Sequence, residues 1–130
     1  MAITEAVENY LETILILSKK QPDVHAIDIC SYLGYSRPTV SIVLRKMKDT
    51  GLVTVDGENH IKLTEKGREV AERMYDRHTL LSSFFEYLGV ERDLAAEDAC
   101  KVEHDLSAET FERIKEHYLS LILENDNNKE

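Results

Sequence analysis

The chain has 130 residues, 42% of them hydrophobic, and a formal net charge of −9. That length predicts one compact domain or two small subdomains, and the charge excludes a protein coated uniformly with basic residues for binding nucleic acid. No apolar run approaches the ~18 residues of a membrane span, and the N-terminus lacks a secretory pattern, so we expect a cytoplasmic protein with no membrane partner.

The first half of the chain carries the pattern of three helices and a hairpin. Residues 4–19 place apolar side chains at helical spacing behind Thr4, a good N-cap, and predict an amphipathic helix. "AIDICSYLG" predicts a short helix closed by Gly34, and a third helix begins at the N-cap Ser36 and ends at Gly51. In "LVTVDGENHIKLT", alternating residues flank "DGEN", which predicts two short strands joined by a tight turn.

The second half predicts three more helices. Thr64 caps a long helix that begins near Glu65 and ends at Gly89. The residues of this helix expected to face inward are Val70, Met74, Leu81, Phe85 and Leu88. A shorter helix spans roughly residues 94–105, and Ser107 caps a last one, whose end "ENDNNKE" should fray.

Helix, short helix, turn, helix and hairpin is the order of a winged helix-turn-helix. Residues 36–68 carry seven basic and four acidic side chains, whereas residues 76–130 carry six and fourteen. Recognition helices present their first residues to base edges, and basic residues farther along suit phosphate contacts. The predicted DNA contacts are Ser36, Arg37, Pro38, Thr39, Ser41, Arg45 and Lys46, with Lys62 from the wing. The alternative is a structural winged helix that binds protein.

The stretch "DACKVEHDLS", residues 98–107, contains a candidate metal motif. Cys100, Glu103 and His104 stand at i, i+3 and i+4, which on a helix is one face. Thiolate, carboxylate and imidazole together suit a first-row transition metal. The alternative is the polar surface of an acidic helix, with the cysteine as a small buried hydrophobe.

Two other segments offer donors that could join this motif. Asn9 and Glu12 stand at i, i+3 on the first predicted helix, and both carry oxygen ligands. His78 continues the apolar face of the long helix, where a hydrogen-bonded core histidine is the alternative to a ligand. A cation would neutralise carboxylates that otherwise repel one another in the acidic half.

The motifs "GYSRPTVSIVLRKMKDTGLV", "LTEKGREVA", "RHTLL" and "ACKVEH", in this order, resemble the DtxR/MntR family of iron- and manganese-dependent transcriptional repressors. The resemblance covers about residues 5–123. It implies a mainly α fold, with a winged helix-turn-helix DNA-binding domain at 1–72 and an all-helical metal-binding and dimerisation domain at 73–130. In the expected lack of an SH3-like domain, the chain resembles the shorter, manganese-type members.

The resemblance implies the metal ligands Glu12, His78, Cys100, Glu103 and His104, with Asn9 as a further candidate. Manganese-type members have Asp at the position of Asn9 and Glu at that of Cys100, whereas iron-type members have Met and Cys. The set is therefore a hybrid of the two types. Positions that match the iron-type ancillary site hold Ser82 and Ala96, so that site is depleted.

The resemblance further implies a homodimer that binds double-stranded operator DNA when loaded with Fe(II) or Mn(II) and represses metal-homeostasis genes. Co(II), Ni(II) or Zn(II) would also bind in vitro, because affinity follows the Irving–Williams order. The alternative is a metal-independent winged-helix regulator that responds to an organic ligand, a protein or thiol redox. We expect no organic substrate and no enzyme, since the sequence has neither a nucleophile–base pair nor a glycine-rich phosphate loop.

Overall fold

The computed structural model describes residues 3–127 of the chain. Its elements are α1 (Glu5–Lys20), α2 (Ala26–Leu33), α3 (Arg37–Asp49), β1 (Val53–Val55), β2 (Ile61–Leu63), α4 (Glu65–Tyr87), α5 (Arg92–Val102) and α6 (Ala108–Asn127). This order confirms the predicted fold class, a winged helix-turn-helix followed by helices. Two compact units divide between Tyr75 and Asp76, inside α4 and three residues beyond the predicted boundary.

The helices of the first unit begin and end at the signals in the sequence. The Thr4 hydroxyl accepts a hydrogen bond from the Val7 N–H at 3.3 Å and caps α1. Gly34 closes α2 in the left-handed conformation, with φ at +73°. The Ser36 hydroxyl accepts from the N–H of Thr39 at 3.4 Å, so α3, the recognition helix of the motif, begins as predicted.

The wing is an antiparallel pair in which Val53 lies opposite Leu63. "DGEN" forms the predicted turn, because the Asn59 N–H donates to the Asp56 carbonyl at 3.0 Å. Asn59 adopts a φ of +64°, which asparagine tolerates better than most residues. His60 lengthens the loop before β2 begins, and its carbonyl accepts from the Asp56 N–H at 3.2 Å.

One core joins α1, α2, α3, the hairpin and the start of α4. Its buried members include Leu11, Ile14, Ile29, Val40, Met47, Val53 and Ile61. The start of α4 is held close to the turn after α3, since the Thr64 hydroxyl donates to the Gly51 carbonyl at 2.6 Å. A Cβ at Gly67 would collide with the Leu52 carbonyl oxygen, so only glycine permits this approach.

The second unit packs the rest of α4 with α5 and α6 around Leu81, Ala99 and Phe111. Two sequence expectations are wrong in this unit. Leu88 was expected to face inward, but it is 63% exposed, because α4 ends at Tyr87. The last helix continues through Asn127 rather than fraying from residue 124, and residues 128–130 of the predicted frayed end lie outside the described residues.

Among residues 3–127, no helix is both long and apolar enough to cross a membrane.

Candidate functional site

The side chain of Glu103 is fully buried in the second unit and lies between two imidazoles. Its Oε2 atom is 3.0 Å from Nδ1 of His78, on α4. Its Oε1 atom is 3.4 Å from Nε2 of His104, whose side chain is 1% exposed. Oε1 makes no hydrogen bond, although such bonds normally compensate a buried carboxylate for its lost hydration.

The turn that carries Glu103 and His104 is fixed by Arg77, a residue that the sequence analysis missed. The buried guanidinium donates from Nη1 to the Glu103 carbonyl at 2.9 Å and to the Leu106 carbonyl at 2.8 Å. It also lies over the ring of Phe111, 5.2 Å from the centroid. An arginine next to a candidate ligand, in "RHTLL", is the only signal that the sequence offers for this role.

The helix that carries the metal motif is shorter than predicted. α5 ends at Val102, so Glu103 is its C-cap and His104 lies in the following turn. Cys100, the third member, is exposed on α5, whereas Glu103 is fully buried. Glu103 nevertheless keeps the helical backbone conformation and donates its N–H to the Ala99 carbonyl at 3.0 Å, so only His104 lies beyond the helical backbone.

The two oxygen donors on α1 belong to the first unit. Glu12 is 6% exposed, in a stretch of α1 that is otherwise almost entirely apolar. Asn9 is half-buried, and its backbone carbonyl accepts from the Thr13 hydroxyl at 2.8 Å. This burial sets Glu12 apart from the solvated carboxylates of the surface.

The donors of the second unit fit a divalent cation. Glu103 offers an oxygen that makes no hydrogen bond, and His78 and His104 offer imidazole nitrogens that suit first-row transition metals. A bound cation would stabilise the buried carboxylate and attract the oxygen that makes no hydrogen bond. The residues that would hold it there are Glu103, His78 and His104.

A second candidate surface is the outer side of α3 together with the wing. All eight side chains predicted to contact DNA are exposed there: Ser36, Arg37, Pro38, Thr39, Ser41, Arg45, Lys46 and Lys62. The hydroxyl of Ser36 hydrogen-bonds that of Thr39 at 2.8 Å, in addition to capping the helix. Ser36 therefore serves the start of the helix, whereas Arg37, Ser41 and Arg45 have no such structural task.

One apolar residue on this surface was not predicted from the sequence. Ile42 is 57% exposed on α3, although the helix has a well-buried inner side formed by Val40, Leu44 and Met47. Its departure from that apolar spacing was the available signal. An exposed methyl-bearing side chain on a recognition helix can contact the methyl group of thymine.

Two family descriptions match the chain in sequence. Residues 2–61 match "Iron dependent repressor, N-terminal DNA binding domain". Residues 64–121 match "Iron dependent repressor, metal binding and dimerisation domain".

Individual relatives agree with these matches. An HTH-type transcriptional regulator of Methanocaldococcus jannaschii is 33% identical over 115 residues, which are 87% of this chain and 92% of that protein. The transcriptional regulator MntR of Escherichia coli O6:H1 is 30% identical over 111 residues, which are 85% of this chain and 72% of that protein.

The solved structure of a manganese-dependent transcriptional repressor in complex with manganese superimposes with a TM-score of 0.77 at 31% identity. The match covers 85% of this chain and 51% of that one. The chain thus spans about half the length of the solved protein it matches here.

Proposed function

The chain belongs to the DtxR/MntR family of metal-dependent transcriptional repressors, a family of regulators rather than enzymes, and from that premise we propose that it binds operator DNA as a homodimer when loaded with Fe(II) or Mn(II). The genes it controls would be those of metal homeostasis. The observation that carries this proposal is the fully buried Glu103 carboxylate between two imidazoles, with one oxygen lacking a hydrogen bond.

The proposed ligand set combines contacts with residue matches. His78, Glu103 and His104 are supported by the distances within the second unit. Glu12 is supported by its burial and by its match to the family's first-helix ligand, and Asn9 only by its match. Ligands on α1 and in the second unit, bound to the same ion, would restrict how the DNA-binding unit is oriented, and this restriction is the proposed basis of corepression.

Operator affinity measured with and without metal tests this proposal on the unaltered chain. We expect binding of a labelled operator duplex to strengthen by about 5–150-fold on metal loading, which corresponds to a typical coupling of about 1–3 kcal/mol. Fluorescence anisotropy, with a chelator in the control titration, measures the difference. Equal affinity in both titrations would contradict metal-dependent operator binding. It would favour a metal-independent regulator that senses an organic ligand, a protein or thiol oxidation.

Homodimer formation is supported by the apolar surface of the second unit. Several of its large apolar side chains are exposed to water, and a short unit with so many has surface to bury against another chain. They are Tyr87, Leu88, Leu94, Leu119 and Leu123. Phe111 is not part of this surface, because it belongs to the unit's own core. A two-fold dimer would place its two recognition helices on half-sites about 34 Å, or a multiple of that distance, apart.

Cys100 is the proposed determinant of metal choice. A thiolate favours softer ions such as Fe(II), Co(II) and Ni(II), whereas an extra carboxylate favours Mn(II). Cys100 is exposed on α5, one turn before Glu103.

Replacing Cys100 with Glu is expected to shift the metal preference of operator binding toward Mn(II). The measurement compares the metal concentrations that give half-maximal anisotropy with Mn(II), Co(II), Zn(II) and, anaerobically, Fe(II). Cys30, which is buried in the first unit, supplies the control variant Cys30→Ala, in which the order of metals should not change. An unchanged order in Cys100→Glu would remove Cys100 from the ligand set.

A further inference from the structure

A second cluster of metal-binding side chains lies entirely within the first unit, where the wing meets the connection between α1 and α2. We define the wing cluster as His25, His60 and Glu58, supported by Asp28 and Asp56. The backbone brings its parts together, because the Ile61 N–H donates to the Val24 carbonyl at 2.8 Å. His25 follows Val24 and His60 precedes Ile61, so this bond brings the two histidines together. Their rings meet edge to face, with centroids 4.9 Å apart.

Each imidazole in the wing cluster has an aspartate near Nδ1. Asp56 Oδ2 is 3.1 Å from Nδ1 of His60, and Asp28 Oδ2 is 3.7 Å from Nδ1 of His25. The shorter contact, at His60, holds the proton of a neutral imidazole on Nδ1 and leaves the lone pair of Nε2 to a metal. Carboxylate–histidine pairs of this kind are the usual surroundings of histidine ligands.

Both aspartates are fixed by the backbone, so they orient the rings rather than move with them. Asp56 Oδ1 accepts from the N–H groups of Glu58 and His60, each at 2.9 Å. Asp28 Oδ2 accepts from the His25 N–H at 2.8 Å.

A third ligand is already near the free nitrogen of His60. Glu58 Oε2 is 3.7 Å from Nε2 of His60, and two ligand atoms of one tetrahedral zinc lie about 3.3 Å apart. Glu58 and His25 are the more exposed members, at 83% and 41%, and their side chains can rotate to complete the coordination. His60, at 19%, is the fixed member.

We propose that the wing cluster is a Zn(II) site, formed by Nε2 of His25, Nε2 of His60 and the Glu58 carboxylate, with water as the fourth ligand. Imidazole nitrogens and a carboxylate are ligands that zinc accepts in tetrahedral sites. This site is independent of the proposed corepressor site, with which it shares no residue. It would fix the wing loop to the start of α2 within the DNA-binding unit.

The test counts zinc bound by the full chain when the corepressor site is disabled by Glu103→Gln. Zn(II) titrations by calorimetry, and Co(II) titrations that record the visible absorption of a tetrahedral ion, are made on this variant and on Glu103→Gln combined with His60→Gln. We expect one site in the first protein and its loss in the second. Asp56→Asn in place of His60→Gln should weaken the site by about 10–100-fold.

The exposed His117 on α6 provides the matched control, because His117→Gln removes an imidazole outside both sites and should leave binding unchanged. Circular dichroism verifies the fold of each variant. If His60→Gln disturbs the wing, His25→Gln replaces it, since the contact of its backbone N–H with Asp28 is kept. No zinc bound by Glu103→Gln, or equal binding after either histidine is removed, would overturn the wing site. Neither result bears on metal-dependent operator affinity, which is measured separately.

Discussion

Glu103→Gln is expected to abolish the effect of metal on operator binding while the chain stays folded. The substitution keeps the size of the side chain and removes the negative charge that lies between His78 and His104. A neutral amide is a much poorer ligand for Fe(II) or Mn(II) than a carboxylate. The proposed enhancement of about 5–150-fold should therefore fall to about 1-fold. Stability without metal should be retained or improved, because a buried charge is removed.

Operator anisotropy with and without metal measures this loss, and circular dichroism with thermal unfolding verifies that the fold is kept. Glu109 is a suitable matched control, since it lies exposed in the first turn of α6 and Glu109→Gln removes an equal charge. That variant should respond to metal like the parent chain. A Glu103→Gln protein that still gains operator affinity on metal loading would exclude Glu103 as a ligand.

Arg77→Ala is expected to lower the free energy of unfolding by about 3–5 kcal/mol. The guanidinium is buried, and its two hydrogen bonds satisfy the carbonyl groups of Glu103 and Leu106. Alanine would leave both carbonyls without that donor and would open a cavity beside Phe111. The turn that positions Glu103 and His104 would lose its support, so metal affinity should fall as well.

Urea unfolding followed by circular dichroism gives the change in stability. Arg113→Ala is the control, because this arginine is 74% exposed and forms an exposed ion pair with Glu116 at 3.6 Å. Exposed pairs of this kind contribute about 0–1 kcal/mol. A loss in Arg77→Ala no larger than that of Arg113→Ala would show that the two carbonyl contacts do little for the fold.

The local signals in the sequence were sufficient to predict where the helices of the first unit begin and end. Thr4 and Ser36 cap their helices, and Gly34 takes the left-handed conformation expected at a helix end. Such signals act over three or four residues, so spacing alone reveals them. The buried side of α3 could also be predicted, because Val40, Leu44 and Met47 recur at the helical period, and all three are buried.

The geometry of the candidate site was harder to predict, because it depends on contacts between residues that are far apart in the sequence. Nothing in the neighbourhood of Glu103 indicates that α5 stops one residue earlier, at Val102. The end of that helix is fixed by Arg77, which is 26 and 29 positions away from the two carbonyls it binds. The wing cluster escaped prediction for the same reason, since His25 and His60 meet only through the pairing of Ile61 with Val24.

The recognition helix separates the residues that folding needs from those that it leaves free. Ser36 caps the helix and Val40 lies in the core, whereas the side chains of Arg37, Ser41 and Arg45 are exposed to solvent. Mutations at these outward positions can accumulate with little loss of stability. If these residues contact DNA as proposed, new operator sequences are accessible through a few substitutions that leave the fold intact.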